Sequence, residues 1–164
     1  MLFSVTTEYA LRAVAWLAAH SDEPQTVDQI AKATQLSAGY LSKVLQVLGR
    51  AELVHSQRGV GGGFRLARQP QSLSVLDVVN AVDPIRRIRE CPLGLANHRD
   101  RLCPLHAKLD AALAVIEESL RTATIGELYS EANGVVPLRD AQRAAKDEPT
   151  PASGPPSDCE KRNE

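Results

Sequence analysis

The sequence predicts a mostly α-helical fold with a two-stranded hairpin after its third helix and a long helix toward its C-terminal end. Apolar residues recur at helical spacing in successive stretches, and capping side chains stand immediately before several of them. A glycine-rich segment, Gln57-Arg58-Gly59-Val60-Gly61-Gly62-Gly63, separates two short apolar runs in the manner of a hairpin.

The first helix is expected over about residues 6–19, with Tyr9, Ala10, Ala13, Val14 and Leu17 on one face and Glu8 and Arg12 off it. Thr26 and Gln29 form a capping box for a short helix ending near Thr34, with Val27, Ile30 and Ala31 inward. Gln35 and Leu36 connect it to a third helix, capped by Ser37 and running to about Arg50. Its stripe of Leu41, Val44, Leu45 and Leu48 leaves Ala38, Gly39, Ser42, Lys43 and Gln46 facing outward. Two short helices around a tight turn, the second exposing small and polar side chains, outline a helix-turn-helix.

Strands are expected at 53–56 and 64–67, and the loop between them reads as a wing. Glycines permit positive φ and close approach to a groove, and Arg58 supplies positive charge. A nucleotide-hydrolase phosphate loop is excluded, because Phe64-Arg65 stands where that motif needs lysine and a hydroxyl. Ser74, with Asp77 three residues later, opens a fourth helix that Asp83-Pro84 ends. Residues 1–84 are thus expected to form a winged helix-turn-helix domain.

Residues 85–104 are expected to be a cysteine-containing loop, and 105–133 a long helix followed by a short one. Leu105, Leu109, Ala112, Leu113, Ile116 and Leu120 form a stripe too long for the small domain to cover, which suits a two-fold dimer seam. Packing of that stripe within the chain is the alternative. Thr124 and Glu127 cap the last short helix, reaching about residue 132. Residues 134–164 lose periodicity, gather Pro149, Pro151, Pro155 and Pro156, and read as a disordered tail in which Cys159 is an exposed thiol.

With 164 residues, 43% of them hydrophobic, the chain suffices for one compact domain and an appendage. The formal net charge of -1 announces no nucleic-acid partner, but Arg50, Arg58, Arg65 and Arg68 make one stretch locally basic. Glu8 and Arg12 interrupt the apolar N-terminal run and no positive segment precedes it, so a cytoplasmic protein is expected, with no membrane association. The cysteine count of 3 is odd, which argues against a disulfide framework and leaves thiols or metal ligands.

The segment from Cys91 to His106, CPLGLANHRDRLCPLH, concentrates such ligands. Thiolate and imidazole suit zinc or iron-sulfur clusters, although Cys91 and Cys103 lie too far apart for a zinc knuckle. Pro92, Gly94 and Pro104 shape the loop. Cys103 and His106, three apart at a helix start, can face one centre, to which Cys91 must arrive from the loop. His98 either completes a four-donor set or is a solvated histidine. Two redox-active thiols without metal are the other reading.

Thr7-Glu8-Tyr9-Ala10-Leu11-Arg12-Ala13, Leu36-Ser37-Ala38-Gly39-Tyr40-Leu41 and Arg58-Gly59-Val60-Gly61-Gly62-Gly63-Phe64 together resemble the winged-helix, iron-sulfur and nitric-oxide sensing transcription regulators that include IscR and NsrR. The resemblance covers about residues 1–133. It implies a homodimeric repressor on double-stranded DNA, with recognition helices in the major groove of an imperfect palindrome. Ser37, Tyr40, Ser42 and Lys43 would face bases or phosphates and Arg58 the minor groove, with Ala38, Gly39, Gly59, Gly61 and Gly62 completing the interface. Ser42 stands where IscR has glutamate, so base preference does not transfer.

The resemblance also implies a cluster before the dimer helix. Cys91 and Cys103 match two of three family cysteines, the missing one falls near His98, and His106 matches a histidine ligand. Glu8 matches an acidic position that reaches the cluster from the partner subunit. The implied group is a [2Fe-2S] cluster reporting redox, nitric oxide or iron-sulfur status. A regulator of the same fold could instead sense without metal, by thiol oxidation or a protein partner. A metal-dependent enzyme is the remote alternative, lacking an acid-base pair beside the ligands and leaving the wing unexplained.

Overall fold

The computed structural model describes residues 3–92 and 102–129. Five helices and one antiparallel hairpin follow in the order α1 (Val5–Ala19), α2 (Val27–Thr34), α3 (Ala38–Arg50), β1 (Val54–Gln57), β2 (Gly63–Leu66), α4 (Val75–Val82) and α5 (Pro104–Thr122). His98 and the tail lie outside the described residues, as does the expected end of the last helix. Within them, the turn after α5 is a short 3-10 segment, Glu127–Tyr129.

Local capping sets the starts of α1, α2 and α4. Ser4 caps α1 through the Thr7 amide at 3.2 Å, moving the start slightly ahead of the expected position. Thr26 and Gln29 close their box around α2, as Ser74 and Asp77 do around α4. Gln35 ends α2 in the left-handed region, at φ 57°, and the Leu36 amide bonds back to Ala31 at 2.9 Å. That turn aims α3 across α1, so Ala10, Ala13, Val14 and Leu17 meet Ile30, Leu41, Leu45 and Leu48 in one core with Val78 and Val79 of α4.

The hairpin pairs Val54 with Leu66 and Gln57 with Gly63, one residue off the expected strand limits at either end. Hydrogen bonding nevertheless continues to Leu53 and Ala67, at 3.0 Å, so the difference is one of boundary. What sequence patterning misses is a third partner. Gln25 lies on the open edge of β2, exchanging backbone bonds with Phe64 at 3.0 and 2.8 Å. Gly63 permits this approach, since a Cβ there would stand 2.6 Å from the Gln25 carbonyl oxygen. The buried Gln25 side chain accepts a hydrogen bond from the Trp16 indole N–H at 3.2 Å, and the indole stacks on His20. The root of the wing is therefore bound to the end of α1.

After α5 the chain turns back into the core. Val75 bonds to Ala123 at 2.9 Å, Ile125 to Leu73 at 2.8 Å, and Gly126 to Pro70 at 2.9 Å, while the Ile125 side chain is fully buried. The expected α5 stripe is consequently split. Leu113 and Ile116 are half-buried and Leu120 packs against the domain's core, because the Ile125 anchor draws that flank onto α4. Leu105, Leu109 and Val115 remain 63%, 47% and 70% exposed. No helix among the described residues is long and apolar enough to cross a membrane.

Ile125→Ala removes the anchor's side chain and is expected to lower stability by about 2–5 kcal/mol, the range for emptying a buried isoleucine site. Urea unfolding followed by circular dichroism measures it; a loss below about 0.5 kcal/mol, the range of ordinary surface changes, would show that α5 does not depend on this residue.

Candidate DNA interface and metal centre

The expected DNA-binding residues gather on two neighbouring elements. Ser37 holds the N-cap place of α3 and is exposed, but its hydroxyl makes no capping hydrogen bond, contrary to expectation. Its ψ of 120° departs from the 156–160° of Ser4, Thr26 and Ser74, all of which do cap. Ala38 also departs from expectation: it is half-buried against the core, sharing the helix face of Leu41 and Leu45. Gly39, Lys43 and Gln46 are exposed and Ser42 is half-buried. A side chain at Gly39 would meet no atom within 4 Å.

Tyr40 is 39% exposed yet held from behind. Its hydroxyl hydrogen-bonds the Thr6 hydroxyl, and its ring meets Tyr9 edge-on with centroids 5.2 Å apart. The first turn of α3 therefore takes its orientation from α1.

In the wing, Gly59 and Gly61 adopt φ of 102° and 74°, conformations that favour glycine, and the Gly62 amide closes the turn on the Gly59 carbonyl at 2.9 Å. Gly62 is required sterically as well, since a Cβ there would lie 2.4 Å from the Gln57 carbonyl oxygen. Arg58 and Val60 are exposed at this tip. The basic stretch read from sequence is divided in space. Arg50 borders a groove between α3 and β1 with Gln46, His55 and Ser56, whereas Arg65 and Arg68 border a separate recess. Arg65 is further engaged with the Asp22 carbonyl at 2.8 Å.

The second site lies at the start of α5. Cys103 is the N-cap residue, Pro104 occupies the first turn, and His106 follows on the same end of the helix. The His106 Nδ1 lies 3.2 Å from Cys103 Sγ and 3.6 Å from Cys91 Sγ, and all three side chains are half-buried. Their donor atoms lie within 4.8 Å of one another. Donors bound to one ion at about 2.3 Å can be at most about 4.6 Å apart, so this soft sulfur-nitrogen set fits a thiophilic metal after little closure. It comprises three donors among the described residues.

Glu8 does not join that set within the chain: its carboxylate pairs with Arg12 at 2.8 Å on α1, and Arg12 also reaches the Thr34 carbonyl at 3.5 Å. His98 falls outside the described residues.

Sequence reading missed a contact that lies beside this site. Asp110 of α5 accepts Arg87 Nε at 2.7 Å, Arg87 Nη2 at 2.6 Å and the Ile88 backbone N–H at 2.8 Å. The Arg87 hydrogen bonds, aided by the Ile88 amide, hold the Asp110 carboxyl below the usual carboxylate range. Because the folded value is lowered, the pair contributes at neutral pH and is lost only as pH falls through that lowered value. The only advance signal was an unexplained run of cations, Arg86, Arg87 and Arg89, just before Cys91.

Comparison with known proteins identifies the family. The NsrR-type transcriptional regulator of Geobacillus kaustophilus is 31% identical over 128 residues, covering 76% of this chain and 87% of that protein. Among solved structures, T. potens IscR superposes with a TM-score of 0.67 at 26% identity, covering 82% of this chain and 90% of the other. CymR, the global cysteine regulator of B. subtilis, gives 0.66 at 25% identity, covering 81% and 99%. The family model described as "Iron-dependent Transcriptional regulator" matches residues 3–131, and the chain accordingly belongs to this Rrf2 family: it is a transcription regulator and not an enzyme.

Proposed function

We propose that this regulator is a cytoplasmic homodimeric repressor whose hold on an imperfect palindrome depends on an iron-sulfur centre, [2Fe-2S] in type, at Cys91, Cys103 and His106. The observation that carries this reading is the convergence of two sulfurs and one imidazole nitrogen within 4.8 Å at the head of α5. Such a cluster supplies one-electron redox chemistry and reactivity toward nitric oxide. A fourth donor comes from Glu8 of a second copy, once released from Arg12, or from His98.

The chain's own residues do the rest. The exposed apolar side chains of α5, Leu105, Leu109 and Val115, support self-association through a two-fold seam. Ser37, Gly39, Tyr40, Ser42 and Lys43 approach the major groove and the Arg58 wing with Gly59, Gly61 and Gly62 the minor groove, while Ala38 supports α3 from beneath. Residues 1–84 then act as the DNA-binding unit, 85–104 as the sensor loop and 105–133 as the dimerisation unit. Changes at Cys91 and Cys103 alter the spacing of the two recognition helices through α5 and α4.

One observation favours a second reading. The same two sulfurs, both against His106, suit a metal-free thiol switch, in which a peroxide-class oxidant accepts two electrons as the thiols lose two protons and form a disulfide.

Anaerobic purification with absorption spectra and iron and sulfide assays separates the two. A coloured wild type carrying iron and sulfide, with colour lost in Cys103→Ser, is expected; a colourless, iron-free dimer that still binds its selected operator would overturn the cluster reading. For the DNA face, Arg58→Ala is expected to weaken binding and to flatten the log affinity against log salt dependence by about one, the increment for one phosphate contact. Gly39→Ala adds a methyl that meets no atom within 4 Å and gains helix propensity, so stability should hold while operator affinity falls. Undiminished operator binding by both variants would remove α3 and the wing from the duplex.

A further inference from the structure

The 85–91 segment has no regular secondary structure after α4 ends, yet it must deliver Cys91 to a site on another helix. Its upstream end is fixed by Ile85, which packs against the core and bonds through its amide to Asn80 Oδ1 at 3.2 Å. Its middle is fixed by Asp110, which takes two bonds from Arg87 and one from the Ile88 amide. Arg87 also reaches Glu117 at 3.5 Å, further along α5.

Asp110 stands four residues beyond His106, so the two side chains rise one turn apart on one face of α5. Cys91 follows Ile88 by three residues, a stretch that spans at most about 10 Å. Pinning Ile88 to Asp110 therefore restricts Cys91 Sγ to the neighbourhood of His106, where it is found at 3.6 Å.

An ordinary exposed ion pair contributes little to stability. This one differs in geometry. The fork is bidentate, the Asp110 side chain is only 19% exposed, and a backbone amide completes the set, so both the path of the segment and its side-chain direction are specified.

We propose that Arg87 and Asp110 are a positioning pair that holds Cys91 against Cys103 and His106, tying metal occupancy of that site to the seating of residues 85–91 on α5. The proposal rests on the metal reading for its second half only. The tie is reciprocal: whatever the latch adds to metal affinity, bound metal returns to the latch.

The test compares full-length wild type, Asp110→Asn and Arg87→Lys. Asn keeps the shape but loses the charge, and Lys keeps the charge but loses the fork. One readout is the rate of iodoacetamide labelling of Cys91 relative to Cys103 in metal-free, reduced protein, resolved by mass spectrometry. The other is cobalt(II) affinity, followed by thiolate charge-transfer absorption. In Asp110→Asn the labelling ratio should rise several-fold and cobalt affinity fall about tenfold, the lower end for losing support around a ligand; Arg87→Lys should lie between it and wild type. Thermal melts confirm that the variants are folded, and Arg87→Lys decides alone should Asp110→Asn fail to fold.

An unchanged labelling ratio, or equal acceleration at both cysteines, overturns the positioning role whatever cobalt does. Unchanged cobalt affinity beside a raised ratio overturns the tie to occupancy. A wild type that takes up no cobalt, with a ratio still raised in Asp110→Asn, leaves the latch standing and overturns its tie to metal occupancy.

Discussion

The fully buried Ile125 side chain, with the backbone bonds from Val75 to Ala123 and from Ile125 to Leu73, is the constraint on which the arrangement of the two sites depends. Alone, a helix with the half-buried flank of α5 has little to hold it to so small a domain. The return of the chain into the core makes it part of the same cooperative unit as α1, α3 and α4. Cys103 and His106 thereby acquire a defined relation to α3, separated from it by α4.

That relation has a physical route. α5 packs on α4, and α4 packs on both α1 and α3. Close-packed interiors respond to displacement by shifting whole elements rather than by local compression. The first turn of α3 is in turn held by α1 through Thr6, Tyr9 and Tyr40. A change in the seating of α5 can reach the α3 residues proposed to face DNA from two sides, and the sites need share no side chain for their states to be linked.

What was legible in the sequence was local. Thr26 with Gln29 and Ser74 with Asp77 announce helix starts because the cap and its partner are three residues apart, and Thr124 with Glu127 makes the same reciprocal bonds after α5. The glycine hairpin and the approach of Cys103 to His106 were legible for the same reason. Contacts between distant segments were not: nothing near Gln25 signals Phe64, and the run of cations around Arg87 does not specify Asp110 as its partner. Ser37 and Ala38 mark the limit even of local reading. The residue types suited a cap and an outward face, but the backbone dihedral at Ser37 and the shared face of Ala38 with Leu41 decide otherwise.

The chain contains a single tryptophan, and it is Trp16, whose indole donates to Gln25 beneath the wing while lying against His20. Gln25 is also the residue that pairs with β2. The molecule thus carries a built-in optical reporter at the junction of its hairpin and its first helix. Any duplex engagement that tilts the hairpin must alter the polarity and hydrogen bonding around that indole, so ultraviolet emission can follow the movement in an unlabelled protein.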